Sequence, residues 1–271
     1  MSFHLVDRIV AIDGDHARGR FVVPATGPRL SPCLIAEAIG QLASWVAMER
    51  AGFLSRPVAG IAGEVTLEAE PAPGEVLDLT VGITRCDDTA VAYSGAAHLG
   101  DRRLLEMKNC IGPMMPSEVF DDPAALRERF ARLRDGGGAE FPCAPGAPEL
   151  TPLGDGPDGE RRARLQIPEE ATLFAAHFPH RPVYPGTLLL DAEVRHAARV
   201  ALGAVSAEEG ARLRPRRARS IKFRAFLSPG DTVDLLAKVD RIDAAGVRLR
   251  LTAERDGQRV GDARIEIARE E

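Results

Sequence analysis

The feature that most constrains this 271-residue chain is an internal repeat. Two Pro-Gly-acid turns, Pro73-Gly-Glu75 and Pro229-Gly-Asp231, each join strand-like segments, and Gly74 and Gly230 lie 156 residues apart (230 − 74). Upstream of each turn runs an apolar helical segment, Pro32 to about Arg50 and Thr187 to about Gly203. Their acidic residues Glu37 and Asp191 are 154 apart (191 − 37). Near-equal offsets in two different element types point to duplication. Alternating or β-branched stretches over residues 77–83, 90–98, 233–239, 247–253 and 264–267 read as strands, so each half is one helix and several strands. Both helices are apolar nearly all round and must be buried, most simply by sheet curling about them. The expected fold class is α+β, with two curved antiparallel sheets each wrapped around a central apolar helix.

Residues 113–160 separate the halves, 1–112 and 161–271, and are rich in proline and glycine. One helix signal stands within this crossover, opening at Asp122-Pro123 and ending at the glycines that begin with Gly136. The halves differ most just before their helices. If Arg20-Phe-Val-Val-Pro24 corresponds to Arg164-Leu-Gln-Ile-Pro168, the first half takes 7 steps to Ser31 (31 − 24) and the second takes 17 to Pro185 (185 − 168). The ten-residue excess contains His177, which the first half lacks.

That excess includes most of the run His177-Phe-Pro-His-Arg-Pro-Val-Tyr-Pro-Gly186. Its three prolines fix φ and restrict the residues before them, so the backbone aims the imidazole at low entropic cost. A neutral imidazole is a good general base, and the first turn of the following helix, at Gly186-Thr187, offers unpaired N–H groups for a developing oxyanion. Two carboxylates compete as proton donor. Glu37 sits in an otherwise apolar helix, where an ionised side chain is costly, and Gln41 at i+4 shares its face. Asp191 has Arg195 at i+4, which suits a structural pair. A loop histidine and a helix-face carboxylate also have purely structural uses, and His180 and His196 read as packing or solvent-facing residues. Two histidines in one loop make no metal site without a third ligand.

The run His177 to Ala192 resembles the signature of the hotdog-fold 3-hydroxyacyl-[acyl carrier protein] dehydratases, HFPxxPxxPG followed by an apolar tetrad and an acid, with the same His-to-acid spacing (191 − 177 = 14). Lys222 to Asp231, Phe3 to Ile9 and Leu34 to Gln41 are also similar to segments of that family. The resemblance implies a double hotdog in which the site usually shared by two subunits forms within one chain: His177 as base from the second half, Glu37 as acid from the first. It also implies that the Val183 carbonyl bonds the histidine and that Gly186 N–H binds the thioester carbonyl; Gln41, by its place one turn beyond Glu37, is positioned to orient that acid or a substrate. Asp191 would belong to a second, dead site, where Arg195 departs from the family's glutamine. The implied reaction is dehydration of 3-hydroxyacyl thioesters to trans-2-enoyl thioesters in fatty-acid or polyketide-type synthesis. The substrate is carried on the phosphopantetheine of an acyl carrier protein, with no metal and no other cofactor. A hotdog acyl thioesterase and a non-catalytic acyl-carrier-binding subunit are the alternatives.

Charge and cysteine usage narrow the remaining classes. A net charge of −5 argues against nucleic acid as partner, although Arg212, Arg214, Arg216, Arg217, Arg219, Lys222 and Arg224 form a basic stretch over which an acidic carrier could enter. Cys33, Cys86, Cys110 and Cys143 are widely spaced and read as reduced thiols. No apolar run reaches membrane-spanning length and the first residues do not read as a secretion signal, so the expected location is the cytoplasm. A homodimer of the fused chain is compatible with all of this.

Overall fold

Ser31 and Pro32 start the first helix by the usual chemistry. The Ser31 hydroxyl accepts from Cys33 N–H at 3.2 Å, and Pro32 occupies a position where no N–H is needed. In the computed structural model, which describes residues 3–26, 30–136, 147–206, 210 and 212–270, the chain runs β1 (Arg8–Asp13), β2 (His16–Val22), α1 (Pro32–Arg50), β3 (Ser55–Pro57), β4 (Ile61–Leu67), β5 (Val76–Cys86), β6 (Ala90–Leu99) and β7 (Arg102–Pro116). A linking helix α2 (Pro123–Asp135) follows, then β8 (Leu150–Asp155), β9 (Arg161–Gln166), α3 (Gly186–Gly203), β10 (Leu213–Phe223), β11 (Thr232–Asp243), β12 (Gly246–Arg255) and β13 (Gln258–Arg269). Asp122 caps α2 by accepting from Ala124 N–H, and Gly136 ends it. Cys143 and the glycines after Gly136 lie outside the described residues.

The expected pair of sheets is one sheet. Its strand order is β1-β2-β5-β6-β7-β4-β10-β13-β12-β11-β9-β8, with β3 adding to β7, and all pairings are antiparallel. Read inward from either end, the order of elements is the same. The joint is β4 against β10, with Glu64 opposite Arg219. Pairing these two edges satisfies backbone groups that each half alone would leave open to other chains. The two Pro-Gly turns match as well, Gly74 and Gly230 having φ of 84° and 83°, a left-handed conformation that favours glycine.

α1 packs against β2, β5, β6 and β7, α3 against β9 to β13, and the two helices touch each other. Leu34, Ile35, Ala38, Ile39, Leu42, Ala43, Val46 and Ala47 are all buried, so most of the surface of α1 is covered. Between its two ends one stripe remains less covered, Glu37, Gly40, Gln41 and Ser44, at i, i+3, i+4 and i+7. The seat of α1 on the sheet depends on Gly95 in β6, where a Cβ would lie 2.5 Å from Ile39 Cγ2 and 2.6 Å from the Thr80 carbonyl oxygen. Gly95→Ala is therefore expected to destabilise the protein by about 1–3 kcal/mol through overpacking, read as a lower urea midpoint.

Candidate active site

The less covered stripe of α1 forms one wall of a cavity of about 320 Å³. The opposite wall is the proline-rich loop and the start of α3, so His177, Val183, Gly186 and Thr187 face the same space as Glu37 and Gln41. The His177–Phe178 peptide is cis. His177 Nδ1 is 3.0 Å from the Val183 carbonyl oxygen, and since a carbonyl only accepts, Nδ1–H donates and Nε2 is left as the free base. Phe3 presents its ring edge-on to the imidazole at 5.5 Å, and Phe178 stacks on it at 4.0 Å. Burial lowers the His177 pKa from its ordinary value of 6.5; the Glu37 charge and the Val183 carbonyl oppose the shift and the Arg56 charge reinforces it.

Glu37 is held at both oxygens. Thr187 Oγ1 donates to Oε2 at 2.7 Å across the junction of the halves, and Gln41 Nε2 donates to Oε1 at 3.0 Å. Gln41 is itself fixed, donating to the Phe3 carbonyl at 3.1 Å and accepting from Leu5 N–H at 2.8 Å. At the opening of α3 the first N–H groups have no acceptor within the helix. Space is tight at Gly186, where a Cβ would meet the Phe223 ring at 3.1 Å.

Asp191 has a related but separate setting. It accepts from Ser31 Oγ at 2.5 Å and from Arg195 Nε at 2.8 Å, and it does not line the cavity that holds His177. Each helix acid thus reaches a hydroxyl at the start of the other helix, Glu37 to Thr187 and Asp191 to Ser31. His180 binds the Glu118 carbonyl through Nδ1, and His196 is buried with Nε2 against the Arg161 carbonyl.

None of the seven cationic side chains of the basic stretch lines the cavity. Most lie along β10 in the middle of the sheet, where neighbouring strands supply counter-charges. Arg219 pairs with Glu64 and Glu266, Arg217 lies within 4 Å of the same two acids, and Arg224 pairs with Asp262. Arg56, Arg129 and Arg132 line the cavity, and so does His4, whose pKa burial pushes down to about 3 with help from Arg129, His177 and Arg56. Sequence reasoning missed Arg56, Thr187 and His4. Only Thr187, the residue after Gly186, carried a usable signal.

Residues 156–261 match the family described as ApeI-like, ApeI dehydratase. A 3-hydroxyacyl-[acyl-carrier-protein] dehydratase FabZ from Anaeromyxobacter sp. (strain Fw109-5) is 36% identical over 93 residues, 33% of this chain and 59% of that protein. The chain spans about three-fifths of the length of the curated relatives it matches. Among solved structures, an acyl-ACP thioesterase from Bacteroides thetaiotaomicron aligns with TM-score 0.55 at 11% identity, covering 93% of this chain and 98% of the other. A bifunctional dehydratase-cyclase domain in ambruticin biosynthesis aligns with TM-score 0.52 at 16% identity, covering 98% and 95%. No helix among the described residues is long and apolar enough to cross a membrane. The chain therefore shares the fold of these solved structures, and within it residues 156–261 match a dehydratase family.

Proposed function

We propose that the chain is a fused double hotdog, with halves 1–112 and 161–271 joined by the crossover 113–160, and that it dehydrates 3-hydroxyacyl thioesters to trans-2-enoyl thioesters. One observation carries this reading: His177 from one half and Glu37 from the other line the same cavity, each with its own hydrogen-bond support. His177 Nε2 removes the C2 proton, and charge moves onto the thioester oxygen, held by Gly186 N–H and the N-terminus of α3. As the C2–C3 double bond forms, the C3–O bond breaks and Glu37 gives its proton to the departing hydroxyl, releasing water. Transfer of the proton from His177 back to Glu37 resets the site, with no electrons exchanged and no metal or redox group required.

The carrier in this reading is a phosphopantetheine arm, on an acidic acyl carrier protein within fatty-acid or polyketide-type synthesis. Asp191 belongs to a second, inactive site, since it is neutralised by Arg195 and its half of the repeat pairs with a first half that has no counterpart of the His177 loop. A 3-hydroxyacyl-pantetheine distinguishes the alternatives. Enoyl thioester with no free thiol is the expected product; free thiol would mark a thioesterase, and binding without turnover a carrier-binding subunit.

A further inference from the structure

Arg56 is a buried cation that the reaction above does not use. It sits in β3, far in sequence from the His177 loop, yet its guanidinium carbon lies 4.0 Å from the centre of the Phe178 ring. Phe178 in turn stacks on the His177 imidazole at 4.0 Å and 25°. The three groups form one pile, guanidinium, phenyl ring and imidazole. Asp121, just before α2, forms an ion pair with Arg56 Nη1, and these side chains are only 17% and 11% exposed.

The same short segment of the crossover grips the loop elsewhere. His180 N–H donates to the Phe120 carbonyl at 3.0 Å, His180 Nδ1 is 3.1 Å from the Glu118 carbonyl, and the fully buried Phe120 ring packs edge-on to Phe178 at 5.0 Å. Val58, Phe120, Phe178 and Val183 make a small core apart from the main one. A long crossover between the halves is thereby tied to the loop that carries His177.

We propose that Arg56, clamped by Asp121 of the crossover, is a positioning residue that holds the Phe178–His177 stack in place and keeps a positive charge beside the imidazole. The inference rests on the reading of His177 as the general base. A fixed guanidinium near the ring disfavours the imidazolium and so keeps Nε2 available to take a proton. The charged or titratable groups around His177 from the packed elements are Glu37 on α1, which when ionised favours the imidazolium, Arg56 on β3, which opposes it, and His4, which burial keeps neutral. Removing Arg56 takes away a charge that opposes the imidazolium, so the His177 midpoint should rise.

Full-length Arg56→Gln and Arg56→Lys proteins test this, read by histidine Cε1–H NMR titration and by turnover of 3-hydroxyacyl-pantetheine. The His177 signal is assigned by its loss in His177→Ala. Arg56→Gln is expected to raise the His177 midpoint, move the acidic limb of kcat to higher pH and lower kcat roughly ten- to a hundredfold with little change in KM. Arg56→Lys keeps the charge without the planar stack, so it is expected to restore the midpoint but only part of the rate. Should Arg56→Gln not fold, the lysine variant decides, and wild-type kcat there contradicts the stack. An unmoved midpoint in Arg56→Gln, or equal movement in both variants, overturns the role of the charge. If the wild-type chain forms no enoyl product while the NMR midpoint still responds as stated, the dehydratase reading falls and the coupling of Arg56 to His177 stands.

Discussion

His177→Ala is expected to lower kcat/KM for 3-hydroxyacyl-pantetheine by about 10²–10⁴-fold, the range that a positioned general base supplies, while leaving the fold intact. The side chain is part-buried, and its ring hydrogen-bonds to the Val183 carbonyl. Truncation therefore removes chemistry before it removes structure. Circular dichroism and the urea midpoint should stay close to wild type, and substrate analogues should still bind. The loss should appear in kcat, because the proton is taken only in the transition state. Residual rate at the wild-type level in a folded variant would require another base; of the other histidines His4 lines the cavity, and His180 and His196 do not.

Glu37→Gln is expected to be about as damaging, by about 10²–10⁴-fold, because the amide has the shape of the acid without its proton. The hydrogen bonds from Thr187 and Gln41 identify this carboxyl as built into the site, so the substitution perturbs one function at constant volume. The matched control is Asp191→Asn. Its loss should be one of stability, about 1–3 kcal/mol from leaving the partly buried Arg195 without its carboxylate, while most of the turnover remains. The reverse pattern, with Asp191→Asn inactive and Glu37→Gln active, would transfer the acid role to Asp191.

Much of this was legible in the chain because the signals are local or periodic. The two helices, the left-handed Pro-Gly turns and the ten-residue excess carrying His177 all follow from turn chemistry, helix start signals and the repeat. What sequence could not show is what distant strands bring together. The single continuous sheet depends on β4 meeting β10, residues more than 150 apart, and nothing in either strand names its partner. The counter-charges along the basic stretch were equally hidden, because Glu64, Asp262 and Glu266, which pair with Arg217, Arg219 and Arg224, are supplied by other strands. Arg56 was missed for the same reason. Its neighbours Asp121 and Phe178 come from the crossover and the opposite half, and a lone arginine before a proline has no distinctive spacing.

The central claim is that one chain assembles a single site from a base in one half and an acid in the other. A crystal structure with a 3-hydroxyacyl-pantetheine analogue, its thioester sulfur replaced by a methylene, tests it most directly. C2 is predicted to lie against His177 Nε2, the 3-hydroxyl against the Glu37 carboxyl and the carbonyl oxygen at Gly186 N–H, all within one chain. A ligand whose 3-hydroxyl rests on Asp191, or whose C2 lies away from His177, would contradict it.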